Sequence, residues 1–326
     1  SLLRVGLYYF LALMSYYFIK NNGLYNFDKS IKKFIVYTVI IALTFGFYEV
    51  FFGDIKFMNG AYRLSGSFKS HPLANSMFLG ILLILWVEYF VFPKRRSFFN
   101  IFILLALFYL FLNTHSRMPL FFLIFSYLTF NLLRLKKIVK ALKVIVAIII
   151  VLMGSYSLVV NTDVAPRLKT VFLSKNSLKD PSTKTRLIIA ENTFKGMNSF
   201  EKTVGIGLGG FNKFYRDITD LDGVAAHNNF LLFYAEGGII GLIVFLFYQA
   251  VLFITLFRFI RKKIIYSESV NYQRLVFVAV FLFEICSFLL NNYYFFVSQS
   301  IVFVLMGLMM FLMKHGQNIS PPLKQI

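Results

Sequence analysis

The sequence has a single cysteine, Cys286, so it can form no internal disulfide and holds no two-cysteine redox motif. Charge is scarce: 15% of residues are charged, against roughly a quarter in an average soluble domain. Only four histidines are present, and no HExxH, cysteine–histidine or paired-carboxylate spacing joins them. A metal centre is therefore not expected. There is no internal repeat, no low-complexity tract, and no signal-peptide pattern of basic, apolar and small residues at the start.

What the chain has in excess is apolar. Hydrophobic residues make up 58% and aromatics 19%, with a mean hydropathy of +0.71. They are gathered into long runs, which reads as an all-α polytopic membrane protein in a lipid bilayer. The 42 Phe and 19 Tyr suit lipid-facing surfaces and interfacial belts. A net charge of +20 raises the possibility of a nucleic-acid partner. The distribution excludes it, because the Lys and Arg sit in short clusters between apolar runs, as in cytoplasmic membrane loops.

About nine spans are expected: 2–19, 34–52, 72–92, 98–112, 118–133, 142–160, 229–257, 275–293 and 299–313. Alternate short connections hold nineteen Lys/Arg on one side and five on the other. The richer side, with Lys20, Lys29, Lys94, Lys136, Arg261, Arg274 and Lys314, is placed in the cytoplasm. Opening inside an apolar segment at Ser1, residues 1–160 form an N-terminal transmembrane bundle expected to lack earlier helices. Residues 161–226 form one large outward-facing loop domain, with helix-like pieces such as Thr185 to Met197. Residues 227–326 form the C-terminal transmembrane helices and a short cytoplasmic tail.

The unusual residues collect on the outer side. Segment 61–76 offers Arg63, Gly66, Lys69, His71 and Asn75, and the tight turn 113–119 offers His115 and Arg117. Pro119 there suits the first turn of a helix. The large loop holds Arg186 and the run GIGLGG at 205–210, which resembles a phosphate-binding nest without the flanking strand and helix of a dinucleotide site. At about 100° per residue, a helix that included His227 would align His227, Tyr234, Gly238 and Gly241 on one stripe, its glycines admitting a neighbouring helix. Glu236 would face the opposite way, towards a partner or a wet cavity. Glu284 reads as a buried hydrogen-bond partner rather than a proton relay.

Arg63, Arg117 and Arg186 come from three outer segments, and His227 joins them at the membrane surface. Each alone has a plain reading as an anchor or a turn residue. As a set they suit an anionic ligand, since guanidinium groups bind phosphate bidentately. A histidine beside such cations is held neutral and can accept a proton from an attacking hydroxyl.

These residues resemble the O-antigen ligases and the related Wzy-type O-antigen polymerases. His227-Asn228, nine residues, Gly238, two residues, Gly241 is similar to the ligases' H-[NSQ]-x9-G-x2-G signature at every fixed position. RLSGSF at 63–68, THSR at 114–117, TR at 185–186 and GIGLGGF at 205–211 match in order; Met118-Pro119 departs from the small residues expected there. The resemblance implies a GT-C-type membrane glycosyltransferase of the bacterial inner membrane, with its active site on the periplasmic side. Its donor would be an undecaprenyl-diphosphate-linked glycan, and its acceptor another glycan or the lipid-A core. Transfer would be inverting, without a metal or other cofactor. His227 would be catalytic; Arg117 and Arg186, with Arg63 less directly, would bind the diphosphate; Asn228, Gly238 and Gly241 would support them. The alternative is a lipid-linked oligosaccharide or polysaccharide transporter, for which Glu236 and Glu284 would be the membrane-embedded polar groups. A channel has no selectivity-filter signature to support it.

Overall fold

A computed structural model of the chain describes residues 2–53, 56–58, 61–64, 72–93, 97–114, 116–134, 181–262, 270–287 and 296–315. Among these the elements are helices α1 (Leu2–Phe52), α2 (Pro72–Trp86, continued by a π-turn at Val87–Val91), α3 (Phe98–Asn113) and α4 (Arg117–Arg134). There follow α5 (Pro181–Gly196), α6 (Ser199–Val204), α7 (Phe211–Thr219), α8 (Asn229–Arg261), α9 (Tyr272–Ser287) and α10 (Phe296–His315). One small antiparallel ribbon pairs β1 (Lys56–Met58) with β2 (Ala61–Arg63).

Four of the helices are long and apolar enough to cross a membrane: Leu7–Phe52, Pro72–Val91, Asn229–Arg261 and Ser298–His315. Among the described residues the protein is thus all-helical apart from the ribbon, and polytopic in character. The expected span 142–160 lies outside the described residues, as do His71, His115, Gly66 and Lys69. The expected loop between the first two spans is a correction. Lys20, Lys29, Lys32 and Lys33 all lie within α1, whose only departure from helical geometry is Gly23, at φ 78° and ψ 158°. Only glycine adopts such a pair without strain, so one residue turns the chain where a loop had been expected.

The chain divides into two compact units. The larger comprises, among described residues, 2–134, 256–283 and 296–315. Its centre is α9, buried from Leu275 to Phe283 as befits a helix apolar all round. The first leg of α1 lies along α10, where a side chain at Gly307 would collide with the Ala12 carbonyl. The second leg packs Gly46 against Leu110 and Phe47 against Tyr109.

A buried polar network also belongs to this unit. Asp28 accepts hydrogen bonds from the hydroxyls of Tyr89 and Tyr272. The π-turn carries Glu88, fully buried, which takes two guanidinium hydrogen bonds from Arg274 at 2.6 and 2.9 Å. Arg274 also lies over the Phe92 ring at 4.1 Å. Gln273 Nε2 donates to the carbonyls of Phe259 and Lys262, capping the end of α8. Arg274, grouped by the sequence with the loop cations, is the half-buried partner of a fully buried acid 186 residues away.

The smaller unit comprises 181–255 and 284–287 among described residues. Ile189, Met197, Phe211, Tyr215, Ala226, Leu231, Leu232 and Ala235 form its core, drawn from α5, α7 and the start of α8. The helix expected over Thr185 to Met197 is present as α5. Helix α6 opens with a reciprocal capping box, in which Asn198 and Glu201 each bond the other's backbone amide.

Candidate active site

The site begins at the entrance to α8. Asn228 is the helix cap: its Oδ1 accepts the Leu231 amide at 2.7 Å. His227 lies just outside the helix, exposed, at φ 63°. A left-handed conformation costs a residue with a Cβ about 1–2 kcal/mol, so this histidine is held in place against its own preference. The Ala226 preceding it is anchored in the core of the smaller unit.

Helix α8 is not one straight rod. Gly238 stands at φ 62° and ψ −159°, and the helix breaks there into two legs. In an unbroken helix Phe230 and Phe245 would be roughly 22 Å apart along the axis. Their rings meet edge to face at 5.5 Å instead. A Cβ on Gly241 would come within 2.7 Å of the Phe233 carbonyl oxygen. The second leg therefore folds back against the first. This corrects the single stripe of His227, Tyr234, Gly238 and Gly241. His227 is not helical, Gly238 interrupts the helical period, and the glycines serve a bend in their own helix.

A break in a helix leaves backbone carbonyls without their partners four residues ahead. The glycine-rich run supplies replacements. Ile206 donates its amide to the Ala235 carbonyl at 2.9 Å, and Gly207 donates to the Glu236 carbonyl at 3.1 Å. The two backbones lie so close that a Cβ on Gly205 would strike Glu236 and one on Gly238 would strike Thr203 and Val204. Gly205, Gly207 and Gly209 all have positive φ. The backbone amides of Gly209 and Phe211 lie beside the Glu236 side chain, which sets a carboxylate near the N-terminus of α7; among the described residues its Oε1 is buried without a hydrogen-bond partner. What resembled a phosphate nest faces an acid from its own chain.

The arginines fall in both units. Arg186 lies on α5, half-buried, one turn before the core residue Ile189. It therefore shares the small packed unit of His227. Arg63 ends β2, and Arg117 opens α4, with Pro119 buried in the first turn of that helix. Both belong to the larger unit, where Leu64 donates its amide to the Asn113 carbonyl at 3.1 Å. That bond ties the strand bearing Arg63 to the turn leading into Arg117.

Glu284 has the role expected of it. It is fully buried and accepts from Gln249 Nε2 at 2.8 Å and from the Tyr248 hydroxyl at 3.5 Å. Sequence reasoning missed the functions of Gly205 and Glu236 as the two sides of a latch. The one local signal was a cluster of glycines facing, in sequence, a lone acid beside two more glycines.

Residues 101–246 match a family model described as O-Antigen ligase. The segment runs from α3 into the second leg of α8. It takes in Arg117, Arg186, His227, Gly238 and Gly241, and leaves out Arg63. No curated protein matches the chain. The match covers the residues that carry the H-N-x9-G-x2-G spacing: over residues 101–246 the chain is similar to the O-antigen ligase family.

Proposed function

We propose that the protein is a membrane glycosyltransferase that moves a glycan from undecaprenyl diphosphate to a sugar hydroxyl at the outer face of the bacterial inner membrane. His227 removes the acceptor hydroxyl's proton as its oxygen attacks the anomeric carbon. The diphosphate leaves from the opposite face with the electrons of the broken bond, so the anomeric centre inverts. Arg117 and Arg186 bind the departing diphosphate, and Arg63 adds a further contact. The chemistry needs no metal when guanidinium groups carry that charge. The acceptor is a lipid-A core sugar in a ligase and a second lipid-linked repeat in a polymerase.

The observation that carries this reading is the family match over Arg117, Arg186 and His227. An exposed histidine in a left-handed conformation beside a helix cap supports it, since backbone strain collects where chemistry needs it. The transporter alternative rests on Glu236 and Glu284, and Glu284 is bonded to Gln249 and Tyr248.

The test is complementation of cells lacking ligase or polymerase, scored on glycan gels, with wild type and His227→Ala. Restored attachment to lipid A marks a ligase, and restored upper rungs of the ladder mark a polymerase. A folded, inserted His227→Ala protein that restores normal product would overturn the assignment of the base. Glycan crossing proteoliposomes without a new glycosidic bond would instead favour the transporter.

A further inference from the structure

The first leg of α1 and helix α10 run side by side in the same direction. Tyr8 stacks on Phe303 at 5.4 Å, and Tyr16 meets Phe311 and His315 further along. Both helices are among those able to cross a membrane. They reach Lys20 and Lys314 at the same end of the pair. Between them lies an open groove of about 340 Å³, lined by Leu13, Tyr16, Tyr17, Lys20, Met310 and Lys314.

The lining is graded along the helices. Leu13 lies seven residues before Lys20, and Met310 four before Lys314, so the apolar end points into the span and the cationic end towards its boundary. Among the described residues no carboxylate lines the groove, and its other polar side chains are Tyr16 and Tyr17. The wall is built rather than loose. The Tyr16 hydroxyl lies 3.3 Å from His315 Nε2, joining the two helices, and Lys20 sits over the Tyr17 ring at 6.0 Å. Two like charges converging on one open groove repel each other unless an anion lies between them.

We propose that this groove binds the phosphate of an anionic phospholipid drawn from the surrounding bilayer. Lys20 and Lys314 hold the phosphate, the tyrosine rings flank it, and an acyl chain runs inward over Leu13 and Met310. The gradient of charged end and apolar floor matches a phospholipid and not a free anion. Basic pockets between membrane helices are a recognised form of head-group site. None of the residues assigned to glycan transfer lines the groove, so this site stands apart from that reading.

The test uses the full chain in detergent, titrated with short-chain phosphatidylglycerol, short-chain phosphatidylcholine or inorganic phosphate, read by thermal melting and native mass spectrometry. Phosphatidylglycerol is expected to raise the melting temperature and to remain bound; the other two are not. The exposed pair Lys20→Gln/Lys314→Gln should weaken phosphatidylglycerol binding by about tenfold or more, while Lys20→Arg/Lys314→Arg should retain it. Equal binding by wild type and the glutamine pair would overturn the proposal. So would an equal response to phosphatidylcholine or to inorganic phosphate, the latter marking a free-anion site.

Discussion

The rings of Phe233 and Phe245 stack at 4.6 Å, although twelve residues of one helix separate them. A straight helix would hold them roughly 18 Å apart. The contact exists because α8 turns back at Gly238, and that turn sets the Ala235–Gly238 bend against the glycine loop, about two turns beyond the cap at Asn228.

Neighbouring glycines should therefore respond in opposite ways. Gly238→Ala meets both a positive φ and the Thr203–Val204 backbone, and should cost at least about 2 kcal/mol. Gly237→Ala meets nothing within 4 Å and should be neutral or stabilise the helix by up to about 1 kcal/mol. Thermal melting in detergent distinguishes them, and equal melting temperatures would contradict the hinge.

Glu236 should act through the loop it holds. Glu236→Ala removes the carboxylate that faces the Gly209 and Phe211 amides and should cost about 1–3 kcal/mol. Glu236→Gln keeps an acceptor oxygen and should retain most stability. Proteolysis within 199–223 should quicken in the alanine variant only; equal cleavage of both would remove Glu236 from the latch.

His227 and Asn228 should separate function from stability. His227→Gly relieves the left-handed strain and should stabilise the protein by about 1 kcal/mol while abolishing glycan transfer. Asn228→Leu loses the cap on Leu231, at about 1 kcal/mol, whereas Asn228→Ser keeps a capping oxygen. Melting temperatures and product gels on the same preparations check both. A His227→Gly enzyme that is less stable and still active would reverse the reading.

The Glu88–Arg274 pair should be asymmetric under mutation. Arg274→Ala strands a fully buried carboxylate and should cost about 3–5 kcal/mol. Replacing both residues, Glu88→Gln with Arg274→Met, should recover most of that loss. A double-mutant cycle of melting temperatures gives the coupling, and a value near zero would mean that the pair is incidental.

The sequence by itself determined the properties that depend on local composition and order. Apolar runs announce helices because their burial is decided within about twenty residues. The helix-like run expected from Thr185 to Met197 falls on α5, Pro119 lies in a first turn, and Glu284 finds a hydrogen-bonding neighbour. The family spacing in 227–241 was likewise a matter of order along the chain. Tertiary structure alone decided what those spaced residues do. Gly238 reads as a helix glycine until the Thr203–Val204 backbone arrives 35 residues earlier in the chain and requires a positive φ. Glu236 and the glycine loop have no periodicity in common, and Arg274 looks like any loop cation until it meets Glu88. Such pairings are selected by burial. A polar group taken out of water must find whichever partner the fold brings near, and sequence separation carries no record of which one that is.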